Sequence, residues 1–368
     1  MLNYGGIRYC EVSLKNYIDL LNAAVPLITT WYRSNKRPLP WRSDPTPYHV
    51  WISEIMLQQT RIEAVIPYYY RFLETLPNVA ALAEVEDDVL MKLWQGLGYY
   101  SRARNLKKAA IVLRDEYNGK LPEDAAALKR LPGIGDYTAG AIASIAYHQP
   151  EPAVDGNVLR VIMRLCACDD DIMLSQTKAE VIRQLRCVYP SGEEASLLTE
   201  GLMELGEGIC PPSGAPQCKI CPLHFLCRAY EAEETVRYPV RSPKKARRIE
   251  ERTVLILSSE DRFALCKRPD SGLLAGLWEY PNFDGVLDKA AILKKLEELG
   301  VSVRSISNVG AAKHIFTHVE WHMQGYHISC SNQCPHFSWK SSDEIRIELA
   351  IPTAFRFYTN QILEGDIL

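Results

Sequence analysis

Two carboxyl groups, a glycine turn and a group of four cysteines are the residues of this chain whose types and spacing could do chemistry. Glu54 lies in Pro47-Tyr48-His49-Val50-Trp51-Ile52-Ser53-Glu54-Ile55-Met56-Leu57-Gln58-Gln59-Thr60, where helical spacing puts it on one amphipathic face with Val50, Trp51 and Leu57. A carboxyl held against apolar neighbours loses hydration and keeps its proton to higher pH, which suits a general acid. Asp155 opens Asp155-Gly156-Asn157 and follows Gly135 by twenty residues; an aspartate there either caps a helix or waits for positive charge. Between the two acids runs Leu131-Pro132-Gly133-Ile134-Gly135-Asp136-Tyr137-Thr138. Gly133 and Gly135 flank one apolar anchor, so backbone N–H groups at a helix start could approach a phosphate closely. The cysteines are spaced Cys210-x7-Cys218-x2-Cys221-x5-Cys227, a set that would hold either an iron–sulfur cluster or a zinc ion bound by four thiolates.

The elements that must position these groups divide the chain in two. Apolar periodicity near 3.6 over Tyr17–Trp31, Val50–Thr60, Val89–Trp94, Ala109–Tyr117 and Thr138–Tyr147 predicts an all-α domain over residues 14–230. Short β-prone runs (Thr253–Leu257, Phe263–Lys267, His314–His318, Trp321–Ile328) and a helix at Ala290–Leu299 predict an α+β domain over 253–368. Residues 231–252, charged and poor in large apolar side chains, read as a basic linker.

At 368 residues, 47% hydrophobic and 24% charged, the composition excludes collagenous, disordered and small disulfide-scaffold classes. The eleven cysteines sit in a large chain whose first residues resemble no secretion signal, and no apolar run reaches a membrane span. The expectation is a non-membrane protein of the cytoplasm, working at a bacterial nucleoid or in a eukaryotic nucleus. Net charge is −3, so the case for nucleic acid rests on distribution. Arg237, Arg241, Lys244, Lys245, Arg247, Arg248 and Arg252 form one basic run and Arg102, Arg104, Lys107, Lys108 and Arg114 another. Each is a candidate set of phosphate contacts, and each is also what a solvated linker or helix face looks like.

The order acid, glycine hairpin, aspartate, four cysteines resembles the endonuclease III superfamily of helix-hairpin-helix DNA glycosylases. Trp41-Arg42, the Ser53–Thr60 segment with Glu54, Gly98-Tyr99-Tyr100, Tyr137 in the hairpin and Asp155-Gly156-Asn157 are similar to the MutY-type adenine DNA glycosylases within it. The likeness resumes at Lys267-Arg268-Pro269, Gly272–Glu279 and Phe316-Thr317-His318.

The resemblance implies a helix-hairpin-helix glycosylase domain with an iron–sulfur loop, followed by a Nudix-like domain. It implies a monomer that acts on double-stranded DNA containing adenine paired with 8-oxoguanine or guanine, and excises the adenine without cutting the strand. It makes Glu54 the proton donor to adenine N7. Asp155 would stabilise the oxocarbenium ion by charge or by covalent capture of the sugar, and Tyr137 and Asn157 would orient the site. Gln59, Thr60, Leu97 and Tyr99 match residues at the opposite guanine, with Tyr99 as a wedge into the stack. Arg37, Trp41, Arg42, Leu57, Gly133 and Gly135 join the DNA-contacting set, as do Phe316, Thr317 and His318, the 8-oxoguanine recognition loop. Cys210, Cys218, Cys221 and Cys227 would hold a [4Fe–4S] cluster, although the family's first gap is six residues and here it is seven.

Other readings differ at identifiable residues. A working Nudix hydrolase needs Arg-Glu where this chain has Leu293-Lys294. Uracil or thymine mismatch glycosylases lack the second domain, and a non-catalytic damage-binding protein would not need Glu54 and Asp155.

Overall fold

The computed structural model describes residues 17–243 and 246–365. Cys10, residues 14–16 of the expected first domain, and Lys244 and Lys245 of the basic run lie outside them.

The chain forms two compact units. One takes in the described residues up to Tyr69, Asn78–Ala80 and Lys108–Pro243; the other takes in Tyr70–Pro77, Ala81–Lys107 and the described residues after Pro243. Sequence texture assigns the whole of 70–107 to the helical domain, whereas packing groups most of it with the C-terminal unit.

The first unit is all-α. Thr46 accepts a hydrogen bond from the His49 backbone N–H at 3.3 Å, and Pro47 follows it, so the helix Pro47–Leu57 starts where its sequence dictates. This helix differs from the amphipathic one expected: Tyr48 and every residue from Val50 to Met56 are buried. It lies inside the unit, which is why Glu54 is held among apolar side chains on more than one face. The short helix Ala125–Leu128, capped by Asp124, turns through Gly133 into the helix Asp136–Ala141. Gly133 has φ +78, a left-handed conformation that favours glycine, and the Ile134 side chain is buried as the anchor. In Gly156–Cys166 every residue from Val158 onward is buried, and Val158, Ile162 and Leu165 share one core with Leu185, Leu198 and Leu202 of the helices Ser175–Val188 and Glu193–Glu204.

The second unit is built on a sheet of strands β1 (Arg248–Ser259), β2 (Arg262–Lys267), β3 (Trp278–Glu279), β4 (Asn282–Asp284), β5 (Val303–Ile315), β6 (Val319–Cys330) and β7 (Ser338–Ser341). The main path runs β3-β2-β1-β6-β5, with β4 on β1 and β7 on β2. β1 and β6 are parallel, while β5 and β6 form an antiparallel hairpin in which His314 faces Trp321.

Two expectations are corrected here. β1 begins at Arg248, so the C-terminal end of the expected linker is strand: Arg252 stacks over Trp321 at 4.3 Å, and the Trp321 indole donates to Glu250 at 2.9 Å. The expected strand His314–His318 is instead the end of β5 and the turn after it. β5 is an edge strand with no buried residue, and its half-buried and exposed positions alternate only over Gly310–Ile315, where Gly310, Ala311 and Ala312 give little apolar signal. Among the described residues no helix is long and apolar enough to cross a membrane.

Candidate active site

Glu54, Tyr137, Asp155 and Asn157 line one cleft of about 900 Å³ in the first unit. Trp41, Arg42, Leu57, Gln59, Thr60 and Gly135 line it too, so ten of the residues singled out in sequence converge on one space. Glu54 is 5% exposed, and its Oε2 is buried with no hydrogen-bond partner in the protein. Burial pushes its carboxyl up to about 7, and the charges of Asp155 and Glu200 act the same way, against a Tyr137 hydrogen bond and Arg42. A protonated Glu54 therefore holds a proton that no protein acceptor claims at Oε2, facing a cleft large enough for a base.

Asp155 is the helix cap that its position allowed, and it is also in the cleft. Its Oδ1 accepts from the backbone N–H groups of Asn157 and Val158, both at 2.8 Å, and its Oδ2 accepts from Asn157 Nδ2 at 2.9 Å. Burial raises its pKa, opposed by these three N–H donors and by Arg160, all of which favour the anion. The two carboxyls thus differ in kind: one oxygen of Glu54 is unpartnered, whereas both oxygens of Asp155 are held by N–H groups. Tyr137 stays a phenol, because burial and the two nearby carboxyls raise its pKa well above the ordinary value. Its hydroxyl also lies 3.7 Å from Met203 Sδ.

Sequence reasoning missed the residues that hold this arrangement. Arg160, buried in the helix that Asp155 caps, donates to Asn157 Oδ1 at 2.8 Å, to the Gly206 carbonyl at 2.6 Å and to the Cys210 carbonyl at 2.7 Å. Arg164, one turn on, donates to the Cys210 sulfur at 3.1 Å and the Pro211 carbonyl at 3.0 Å. Arginines at four-residue spacing on an otherwise apolar helix were the available signal. Gly206 is required by close approach, since a Cβ there would stand 2.6 Å from the Asn157 Cβ. Glu200 and Glu204 are buried as well. Arg42 meets Glu204 at 2.7 Å and Glu200 at 3.4 Å, and Arg37 pairs with Glu204 and Glu207. Both arginines, expected to contact DNA, are engaged by carboxylates, and Arg37 lies outside the cleft lining.

Gly133 lies in the first unit outside the cleft lining, and the other expected contacts fall in the second unit. Leu97 is buried. Tyr99 is 46% exposed in a left-handed conformation, φ +47, and its hydroxyl lies 3.0 Å from Thr317 Oγ1. Phe316 is half-buried, edge-on to Trp321 at 4.9 Å, while Thr317 and His318 are exposed at the β5–β6 turn. The Phe316 carbonyl accepts from Arg247 Nε at 3.2 Å, and the His318 carbonyl accepts from the Arg248 N–H at 3.2 Å. Several members of the basic runs are engaged by other groups of the protein. Arg102 is buried and donates to the Leu97 and Gly98 carbonyls, Lys107 pairs with Asp87, and Arg237 pairs with Asp169 and Glu234.

The four cysteines carry free thiols. Cys218 and Cys221 bracket a turn of 3₁₀ helix, and Cys227 precedes the helix Arg228–Glu231. The long first gap closes on itself, because Gln217 donates its backbone N–H to the Ile209 carbonyl at 2.8 Å and its side chain to the Gly208 carbonyl at 3.0 Å. Burial pushes Cys221 up to about 12, and the charges of Cys210, Cys227 and Cys218 act on it in the same direction. The four thiols are therefore neighbours, yet among the described residues no three Cys, His, Asp or Glu side chains gather as they would around a single ion. Cys166, which the sequence leaves scattered, is buried in the core against which Cys210, Cys221 and Cys227 pack.

Residues 52–190 match the HhH-GPD superfamily of base excision DNA repair proteins, and residues 252–361 match the NUDIX domain. An adenine DNA glycosylase of Buchnera aphidicola from Schizaphis graminum is 33% identical over 298 residues, covering 81% of this chain and 85% of its own. The human adenine DNA glycosylase is 31% identical over 406 residues, covering 91% of this chain and 73% of its own. The structure of a thermostable thymine-DNA glycosylase superposes with a TM-score of 0.52 at 27% identity, over 58% of this chain and 98% of that one. Those shared domains and identities, spread over most of both chains, mean that this chain belongs to the adenine DNA glycosylase family.

Proposed function

We propose that this chain, as a monomer on duplex DNA, excises adenine paired with 8-oxoguanine and, more slowly, adenine paired with guanine. The observation that carries the reading is the pair of unlike carboxyls in one cleft: Glu54, buried with an unpartnered oxygen, and Asp155, held by three N–H donors. Glu54 gives its proton to adenine N7, and the bond between C1′ and the base breaks with its electron pair passing to the base. The positive charge left on the sugar is met by Asp155, which Asn157 and Arg160 hold in place. Water then adds to C1′, and its proton returns to Glu54, leaving an abasic site. Adenine must leave the stack to reach a buried acid, and exposed Tyr99 fits the side chain that enters the gap.

The test is single-turnover cleavage of duplexes carrying A, U or T opposite G or 8-oxoguanine. Fastest release is expected from A opposite 8-oxoguanine; faster action on U:G or T:G than on either adenine substrate would overturn the assignment. His318→Ala should lower the preference for 8-oxoguanine over guanine while sparing cleavage of A opposite G, because its exposed imidazole sits at the turn and outside the cleft. Equal losses on both substrates would mean that the turn only supports folding.

The cysteines fit a [4Fe–4S] cluster. Each of the four thiolates would hold one iron, and Arg164 at the Cys210 sulfur would offset thiolate charge. The cluster would act as a cross-link, closing the Cys210–Cys227 segment on itself beside Arg164 of the helix that Asp155 caps. Iron analysis of anaerobically purified protein should give close to four atoms per chain, the stoichiometry of such a cluster held by four thiolates. Stoichiometric zinc without iron would replace this reading with a structural zinc site.

A further inference from the structure

In the second unit, Tyr99 and Thr317, two of the residues expected at the opposite base, meet at one hydrogen bond of 3.0 Å, and a set of polar ties flanks it. Tyr99 sits between the helices Asp87–Leu93 and Ser101–Glu116, in a turn where Gly98 has φ +70 and Tyr99 itself φ +47. A tyrosine persists in that region only when its surroundings over-determine it. On the upstream side, Lys92 Nζ donates to the carbonyls of Arg346 at 2.6 Å and Leu349 at 2.9 Å, and Gln95 Nε2 donates to the Ile351 carbonyl at 3.1 Å. Asp88 meets Lys267 at 2.8 Å. On the downstream side, Arg104 donates to the Ala275 carbonyl at 2.6 Å. Lys92 thus satisfies two carbonyls where the helix Ser342–Ile347 ends, and this anchors the 87–95 segment to that stretch.

We propose that Lys92 and Gln95 are positioning residues for opposite-base selection: they fix the Tyr99 turn against the β5–β6 turn, so that Tyr99, Thr317 and His318 act on one base together. This rests on the reading of Phe316–His318 as the 8-oxoguanine contact. Neither residue lines the catalytic cleft, so loosening them leaves Glu54 and Asp155 in place and acts on the reader alone. A charged donor shared by two carbonyls is a strong tie, and a shift of an ångström in a recognition contact is enough to lose its value.

The experiment is single-turnover excision of adenine opposite 8-oxoguanine and opposite guanine by the full chain and by Lys92→Met, Lys92→Arg, Gln95→Leu and His318→Ala. Lys92→Met should lower the rate ratio of the two substrates about tenfold, the order expected for losing a charged hydrogen bond, chiefly through the 8-oxoguanine substrate. Gln95→Leu should move the ratio the same way by less, and Lys92→Arg, which can still donate to both carbonyls, should keep most of it. If Lys92→Met and Gln95→Leu leave the ratio at the wild-type value while His318→Ala collapses it, the positioning role is wrong and the reading of the turn stands. Equal slowing on both substrates by Lys92→Met would reduce Lys92 to a support of the fold. A wild-type ratio in His318→Ala would remove the reading of the turn, and this proposal with it.

Discussion

Glu54→Gln should excise adenine about a thousandfold more slowly than the wild type, the middle of the range that general acid catalysis contributes, while binding the duplex normally. The amide keeps the size of the carboxyl and removes the proton that must reach the leaving base. The pH dependence carries the same argument. Because burial holds the Glu54 carboxyl at about 7, the acid is loaded below that pH and empties as the pH rises through it. Wild-type single-turnover rate should therefore fall on the alkaline side of about 7, and the residual rate of the variant should lack that limb. A stability effect accompanies it. A carboxyl raised on folding from its ordinary 4.5 to about 7 favours the folded state most below 4.5, and this advantage is lost as the pH climbs between those values. The cost at alkaline pH is on the order of 3 kcal/mol. Glu54→Gln does not carry that cost, so the variant should gain thermal stability over the wild type at pH 8 and much less at pH 5. Wild-type turnover by the variant, or a stability gap independent of pH, would remove Glu54 from the acid role.

That cost explains which parts of the site could be read from sequence. Glu54 was legible because an acid inside a run of Val50, Trp51, Ile52 and Ile55 conflicts with its surroundings, and such conflicts tend to mark function. The hairpin was legible because Gly133 needs a conformation few other residues adopt. Glu200 and Glu204 were not, because a charged residue on a helix is usually solvated and only the fold reveals that these face inward onto Arg42, and Arg160 stood out in an apolar helix without showing that it reaches Asn157. The same limit hid most of β5, whose half-buried and exposed residues share no single period, and nothing in the sequence shows that Arg37 and Arg42, placed with DNA by the resemblance, and Arg102, in a basic run, are each engaged within the protein. The grouping of Ala81–Lys107 with the C-terminal unit was hidden for another reason. The ties at Lys92, Gln95 and Arg104 end on backbone carbonyls, which every residue possesses and no sequence pattern announces.

Base release should leave an intact abasic strand that is cut only by hot alkali, and borohydride should trap little covalent complex. Strand cleavage by an elimination route requires a primary amine that attacks C1′ to form an imine, and a buried lysine with a lowered pKa supplies the free electron pair. The hairpin residues that line the cleft are Gly135, Asp136, Tyr137 and Thr138; none carries an amine, and the Tyr137 phenol cannot form an imine. Of the lysines near the hairpin in sequence, Lys129 pairs with Asp136 at 3.0 Å, and neither it nor Lys120 lines the cleft. Lys178, on the helix Ser175–Val188, does line it. Any small trapped fraction should therefore pass through Lys178 and vanish in Lys178→Ala without slowing adenine release by the same factor. Tyr137→Lys tests the same chemistry from the other direction. An amine placed there would be buried beside Glu54 and Asp155, and burial favours its neutral form while the carboxyls oppose that, so trapping should rise above wild type but stay incomplete. Nicking by the wild-type protein at the rate of adenine release, with quantitative borohydride trapping, would show that an amine reaches the sugar during the normal reaction and that the hydrolytic route is wrong.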